Sequence, residues 1–245
     1  MRAIGSFRPD TIFHLASLFL AQHTPGQVEP LVLSNVLLGA QLLEAMRAGG
    51  VQGLVNAGTA WQNFSGDEYL PVNLYAATKQ AFADILLYYV ETAGVRAVTL
   101  KLFDSYGPGD TRRKLLHMLL ECMRSGQPLA MSGGEQVLDL VHVDDLCRAF
   151  LRAAELIADP AQPANAVYAV SGGQRRTLRA VVATVERAAG RPLPIVWGAR
   201  PYREREVMQP WSGPPVPGWQ PQIGLEDGLR GLLASEGLQQ TEERA

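Results

Sequence analysis

Two kinds of apolar spacing alternate along this chain. Dense apolar runs mark buried strands, and stretches with apolar residues three or four apart mark helices. Residues 11–16 form a dense run after a proline and read as a strand leading into a loop. Leu37, Leu38, Leu42, Leu43 and Met46 predict a helix over about 34–48, closed by Gly49-Gly50. A strand follows over 51–57, running out at Gly58-Thr59. A loop with Trp61, Asn63, Ser65 and Gly66 then leads into a long helix over about 71–92. Residues 95–103 read as a third strand, broken sharply by Tyr106-Gly107-Pro108-Gly109-Asp110.

The second half is predicted as a helix over 112–124, a short strand over 128–131, a strand over 137–143 and a helix to about 156. After a loop over 159–165 come a strand over 166–171, a helix over 177–189 and a strand over 194–197. The proline-rich stretch 210–221 reads as a covering loop, 225–235 as a last helix, and 239–245 as a polar tail that frays. Strands separated by helices of this length imply βαβ units, hence an α/β fold with a parallel sheet. In such sheets ligands sit outside the carboxyl ends of the strands. Thr59 lies just past one strand end and Asp104 past another, and Tyr75 begins the intervening helix on the same side.

Composition narrows the class without naming a ligand. The chain has 245 residues, 47% of them hydrophobic and 19% charged, enough for one large domain or two small ones. A net charge of −2 with no basic block gives no reason to expect nucleic acid. No uninterrupted apolar run reaches the ~18 residues of a membrane span, and Arg8-Pro9-Asp10 interrupts the start too early for a signal peptide. A cytoplasmic setting is expected. Cys122 and Cys147 both fall in helical patterns and read as buried thiols; neither they nor the four histidines form a metal signature.

The chemistry centres on Tyr75 and Lys79, four apart on the predicted helix and so on one face. A free tyrosine has a pKa of roughly 10, too high for proton exchange at neutral pH. A cation about 4 Å away, at an effective dielectric near 20, is worth roughly 4 kcal/mol, or about three pKa units. By itself such a pair is common on ordinary helices.

Six segments, in order, change that reading. Arg8-Pro9-Asp10 with Ile12-Phe13-His14-Leu15-Ala16-Ser17, then Ser34-Asn35-Val36, then Tyr75 with Lys79 resemble the extended short-chain dehydrogenase/reductases that act on nucleotide sugars. Leu102-Phe103-Asp104 with Tyr106-Gly107-Pro108-Gly109 is similar to that family's Arg-x-Phe-Asn-x-Tyr-Gly-Pro motif, with Asp for Asn. Leu138 to Asp145 resembles its Arg-Asp-Phe-Val-His-Val-Asp-Asp segment, with Leu for Arg. Gly218-Trp219 and Pro221, followed by Leu225 to Leu229, resemble its C-terminal signature. The stretches around Gly58-Thr59-Ala60-Trp61-Gln62 and Asn73 to Lys79 are most similar to the abequose/paratose-type branch, which reduces CDP-4-keto-6-deoxy sugars.

The resemblance implies a Rossmann-like domain over 1–111 and a mainly substrate-binding α+β domain over 112–245, with 137–170 returning to the sheet. It implies Tyr75 as acid/base, Lys79 as its pKa-lowering partner and ribose ligand, and Thr59 as the residue positioning the sugar oxygen. Ala16, Asn35, Tyr75, Lys79 and Phe103 are the implied contacts to NAD or NADP. Trp61, Asp104, Arg112, Lys114 and Arg203 are the implied substrate contacts. Asp104 is an acceptor only and would repel a phosphate unless it faces ribose hydroxyls or an Arg. Dehydratases of the family place an acidic pair after the Thr; here Ala60 and Trp61 follow, leaving 4-keto reduction or C4 epimerisation. Helices 34–48 and 71–92, apolar around much of their girth, imply a homodimer.

The family pattern also opens with a glycine-rich βαβ segment that this sequence lacks. No Gly-x-x-Gly-x-x-Gly run occurs, and at roughly 30 residues per βαβ unit about 60 residues of the pattern are expected to be absent. The first strand would then have an open edge. Three readings stay open: a nucleotide-sugar oxidoreductase, a non-catalytic sugar- or protein-binding module that has lost dinucleotide binding, and a non-redox acid/base activity at Tyr75.

Overall fold

A computed structural model describes residues 2–66 and 68–238; the 239–245 tail lies outside the described residues. In chain order the first elements are α1 (Arg2–Phe7), β1 (Thr11–His14), α2 (Val28–Val32), α3 (Leu38–Gly49), β2 (Gly53–Thr59), α4 (Leu74–Ala93) and β3 (Arg96–Leu102). Next come β4 (Asp104–Tyr106), α5 (Leu115–Ser125), β5 (Leu129–Ala130), β6 (Val137–Leu138), β7 (Leu140–His142) and α6 (Val143–Ala158). The chain ends with β8 (Asn165–Val170), β9 (Arg176–Thr177), α7 (Leu178–Ala189), β10 (Ile195–Val196) and α8 (Leu225–Ser235).

The chain divides into two units. The first comprises Met1–Phe103, Cys147–Val170 and Trp211–Gln220; the second comprises Asp104–Leu146, Ser171–Pro210 and Pro221–Ala245. The division falls at Phe103, where the chain leaves the first sheet at the end of β3 and starts a new one at Asp104.

In the first unit, β1-β2-β3-β8 form a wholly parallel sheet with β1 at one edge. The α/β reading and its parallel sheet therefore hold. Leu43 and Met46 of α3, Leu54 of β2, Phe82, Leu86 and Tyr89 of α4 and Ala97 of β3 pack into one apolar cluster. Such side chains contribute roughly 1.5–3 kcal/mol each on full burial.

The helix expected from residue 34 starts earlier. A 3-10 turn (Pro25–Gln27) enters α2, and a π-helical stretch (Leu33–Leu37) joins α2 to α3 without a break. Thr24 N–H donates to the Gln27 side chain at 2.8 Å, and Pro30 falls in the first turn of α2, where its missing N–H has no intrahelical partner. Asn35 is therefore inside the helix and not at its start. By length and composition alone this run could cross a membrane. In the fold it is amphipathic: Leu31, Asn35, Gly39 and Leu43 are buried at four-residue spacing, with Val28, Val32, Leu33, Leu37 and Leu38 exposed. Gly50, at φ 70°, supplies the left-handed residue that stops α3.

The second unit is built around α5, α7 and α8, whose Leu119, Val181, Val185, Leu229 and Leu233 share one core. The strand expected over 137–143 is two strands: β6 pairs antiparallel with β9, and β7 pairs parallel with β4. Asp139 lies between them, its carboxylate accepting from Ser171 Oγ at 2.6 Å, Gly172 N–H at 2.7 Å and Arg175 Nε at 3.3 Å. The helix expected from 112 starts at Leu115, leaving Arg112–Lys114 in the approach to it. Cys122 is buried as expected, its thiol pushed up by burial, whereas Cys147 is exposed, on the outer side of α6.

Buried Asp145 accepts from the backbone N–H groups of Gln222 and Ile223 at 2.8 and 3.0 Å and so sets the entry into α8. Its removal strands two backbone donors. Asp145→Ala is expected to lower unfolding stability by about 2–4 kcal/mol in urea titrations; a loss under ~1 kcal/mol would contradict this role.

Candidate active site

The first unit gathers its polar side chains where β1 and β2 end and α4 begins. Asn73 caps α4, its Oδ1 accepting from Ala76 N–H at 2.9 Å, while its Nδ2 donates to Ala21 O at 3.0 Å. One asparagine thus fixes both the helix start and the loop after β1. Tyr75 and Lys79 lie on the next turn, both buried, with Lys79 Nζ 5.9 Å from the Tyr75 ring centroid.

Asn35 ties the same loop to α4 from the other side. Its Oδ1 accepts from Leu18 N–H at 2.7 Å, and its Nδ2 donates to Leu18 O and to Thr78 Oγ1, each at 3.0 Å. The π-helical widening around Asn35 changes the direction of its side chain by local backbone geometry, a feature often found at functional positions. Thr59 is the last residue of β2 rather than just beyond it. Its N–H donates to Gln62 Oε1 at 3.0 Å, its Oγ1 accepts from Trp61 N–H at 3.3 Å, and Gln62 Nε2 donates to Gln80 Oε1 of α4 at 2.7 Å. The strand end and the helix that carries Lys79 are thereby joined through two amide side chains.

Phe19 brings the aromatic members together. Its ring lies 5.0 Å from that of Tyr75, edge to face, and 5.7 Å from that of Trp61. Ala16 is exposed in the same post-β1 loop. Phe103 packs instead with Ala60, Ala169 and Trp211. Ala60 is buried and Trp61 half-buried, and neither offers a carboxyl group.

Electrostatically, Lys79 dominates. It is 4% exposed and no hydrogen-bond acceptor meets its ammonium among the described residues; desolvation lowers its pKa to about 8. His14, at the end of β1, stacks edge to face on Phe82 at 4.9 Å and is held neutral, its pKa lowered to about 4 by burial and by the field of Lys79.

The remaining sequence-derived candidates belong to the second unit. Asp104 keeps solvent contact yet is recessed, so lost hydration pushes its carboxyl upward against the pulls of Lys114 and Arg203. Lys114 Nζ reaches Ser105 Oγ at 3.2 Å and Asp110 at 3.6 Å. Arg112 forks onto the Asp110 carboxylate at 2.7 and 2.9 Å. Arg203 is exposed. Sequence reasoning missed Gln62, Gln80, Phe19, His14 and Lys101. Only Lys101 left a signal, as a lysine inside an otherwise apolar strand.

Comparison with known proteins decides the family. The NAD dependent epimerase/dehydratase family matches residues 1–169. This chain belongs to that family. CDP-abequose synthase from Yersinia pseudotuberculosis is 27% identical over 203 residues, covering 82% of this chain and 70% of that protein. A probable UDP-glucuronate 4-epimerase from Rhizobium meliloti is 24% identical over 257 residues, covering 93% and 74%. Among solved structures, UDP-glucose 4-epimerase from Thermus thermophilus, complexed with NAD, superposes with a TM-score of 0.79 at 26% identity, covering 96% of this chain and 79% of that one.

The family name implies a nicotinamide dinucleotide. The residues present fit its nicotinamide-ribose end: a buried ammonium lacking an acceptor suits a ligand rich in hydroxyl oxygens. With no Gly-x-x-Gly-x-x-Gly run in the sequence, no group here is assigned to the cofactor diphosphate.

Burial lowers the Lys79 pKa from its ordinary 10.5 to about 8, which costs the fold on the order of 3 kcal/mol at pH 7. Between pH 8 and 10.5 the unfolded chain holds a proton that the folded chain has released, so this contribution to stability rises with pH. Lys79→Met should be at least as stable as the parent chain in urea at pH 7 and should lose that rise. A clear destabilisation at pH 7 would contradict the assignment.

Proposed function

We propose that this family member is an NAD(P)-dependent nucleotide-sugar oxidoreductase working at C4 of the sugar, by 4-keto reduction or C4 epimerisation. What supports the reading is the Lys79 ammonium, buried beside the Tyr75 ring with no acceptor of its own among the described residues. A positive charge beside a phenol is of the sign that stabilises a phenolate, as an acid/base role requires. Tyr75 gives its proton to the sugar O4 in reduction and takes it from the O4 hydroxyl in oxidation, and Lys79 donates hydrogen bonds to the ribose hydroxyls of the cofactor. The Thr59 hydroxyl, with Oγ1 already oriented by Trp61 N–H, positions O4 against Tyr75. When bound, the nicotinamide supplies or accepts the hydride at C4. Phe19 and Trp61 exclude water from the reacting carbon. The nucleotide-sugar class is supported by relatives named for CDP- and UDP-sugars.

The test is turnover of a CDP-4-keto-6-deoxy sugar with NADH or NADPH, and of UDP-hexoses with NAD+ or NADP+. Tyr75→Phe should lower kcat by about 10²–10⁴-fold. No turnover of any of these sugars by the unaltered chain would refute the proposal.

The exposed Val28, Val32, Leu33, Leu37 and Leu38, with Leu87 and Tyr88 of α4, also support a homodimer through these helices. Light scattering at micromolar concentration should give twice the chain mass of 26.6 kDa. Leu33→Glu combined with Leu87→Glu should return it to the single-chain value.

A further inference from the structure

Lys101 is a cation on β3 whose side chain bridges other parts of the first unit, and the acid/base chemistry makes no use of it. It pairs in the sheet with Gly58, the residue before Thr59. A Cβ at Gly58 would come within 3.3 Å of Lys101 Cγ and 3.0 Å of Gln62 Oε1, so the glycine opens the path by which the lysine stem crosses the end of β2. The ammonium then makes two unlike contacts. It donates to Asn63 Oδ1 at 2.7 Å, and it lies 4.8 Å from the Trp211 ring centroid, over the ring face.

Each contact holds a separate stretch of chain. Asn63 is buried at the heart of the turn after Thr59: its N–H donates to Ala60 O at 3.0 Å, and its Nδ2 to Glu68 O at 3.0 Å. The same turn is closed by Phe64 N–H to Leu70 O at 2.8 Å and Val72 N–H to Trp61 O at 2.9 Å. Trp211 is buried against Ala60, Ala169 and Phe103 and begins the proline-rich segment. That segment is pinned to the unit by Ala169 N–H donating to Pro214 O at 2.7 Å and Arg152 Nε donating to Pro217 O at 2.8 Å.

We propose that Lys101 is a positioning residue: its ammonium fastens the turn that carries Thr59 and Trp61 to the proline-rich segment through Asn63 and Trp211, and so sets the placement of the Thr59 hydroxyl. Lys101 touches neither Tyr75 nor Lys79 in any hydrogen bond or ring contact among the described residues, so it acts through geometry and not as an acid or base. Partial burial lowers its pKa by desolvation, in keeping with an ammonium held among protein groups. The kinetic part of this inference rests on the function proposed above; the structural part does not.

Hydrogen exchange on the full chain without ligand reads the clamp directly. In Lys101→Met the amides of Phe64, Leu70, Val72 and Ala169 should all exchange about tenfold faster or more, with the α4 core amides around Phe82–Val90 unchanged. Lys101→Arg should restore protection. In turnover assays Lys101→Met should lose about tenfold in kcat with KM for the nicotinamide cofactor unchanged, and Lys101→Arg should regain most of it. Should Lys101→Met fail to fold, Trp211→Phe, which keeps a weaker ring face, should loosen Ala169 by a smaller factor. Unchanged exchange at either segment overturns the clamp, as does a loss of protection shared by α4, which would mark a general packing role. An inactive parent chain would refute the proposed function and leave the exchange result standing as the test of the clamp.

Discussion

A largely buried ammonium with no hydrogen-bond acceptor among the described residues is the costly feature around which the first unit is arranged. Lys79 gets only a grazing contact with the Tyr75 ring in return for its lost hydration. Nothing local repays that cost. It is borne by the rest of α4, whose Phe82, Leu86, Tyr89 and Val90 are packed against α3 and the sheet further along the helix. The helix is therefore an anchor at one end and a strained presenter of charge at the other. His14 completes the arrangement from β1, because an uncharged ring at that position leaves Lys79 as the dominant charge beside Tyr75.

Apolar packing holds α4 down but does not set where its polar residues point, since dispersion and burial have little directionality. Direction comes from carboxamides. Asn35, Asn73, Gln62 and Gln80 link the loops after β1 and β2 to α4, and each uses an oxygen and a nitrogen at once. A hydrogen bond of this kind is worth only about 1 kcal/mol net, yet leaving one partner buried and unpaired costs more. Such links favour one geometry strongly while adding little to stability. The second unit uses carboxylates for the same purpose: Asp139 gathers the start of the segment after β8, and Asp145 fixes the approach to α8.

Much of the architecture could be read from the chain. The strands β1, β2, β3 and β8 and the helices α4, α7 and α8 come within about three residues of where apolar spacing put them, because each buries a continuous face. The misplacements have physical causes. The Pro25–Gly49 helix begins about nine residues before the expected start: Pro25 opens it in a 3-10 turn, and a π-helical stretch carries it on into α3. Residues 137–143 read as one strand because both halves are apolar. The buried Asp139 between them divides the run between two sheets. Cys147 sits on an apolar-looking helix stretch but on its solvent side, a matter of about a hundred degrees of helix rotation.

By itself the sequence determined the four-residue spacing of Tyr75 and Lys79, their seat at the start of a helix and the order of strands and helices around it. These depend on spacing along the chain, and the 3.6-residue turn and the two-residue pleat make spacing visible. The tertiary structure decided everything that joins residues far apart in the chain. Gln62 meets Gln80, Asn35 meets Thr78, Phe19 stacks between Trp61 and Tyr75, and Lys101 reaches both Asn63 and Trp211. None of these has a periodic signature, because each is a single polar or aromatic contact made possible by how sheet, helix and loops fold back on one another. The degree of burial of Lys79, which turns an ordinary lysine into a shifted one, is likewise a property of the packed fold.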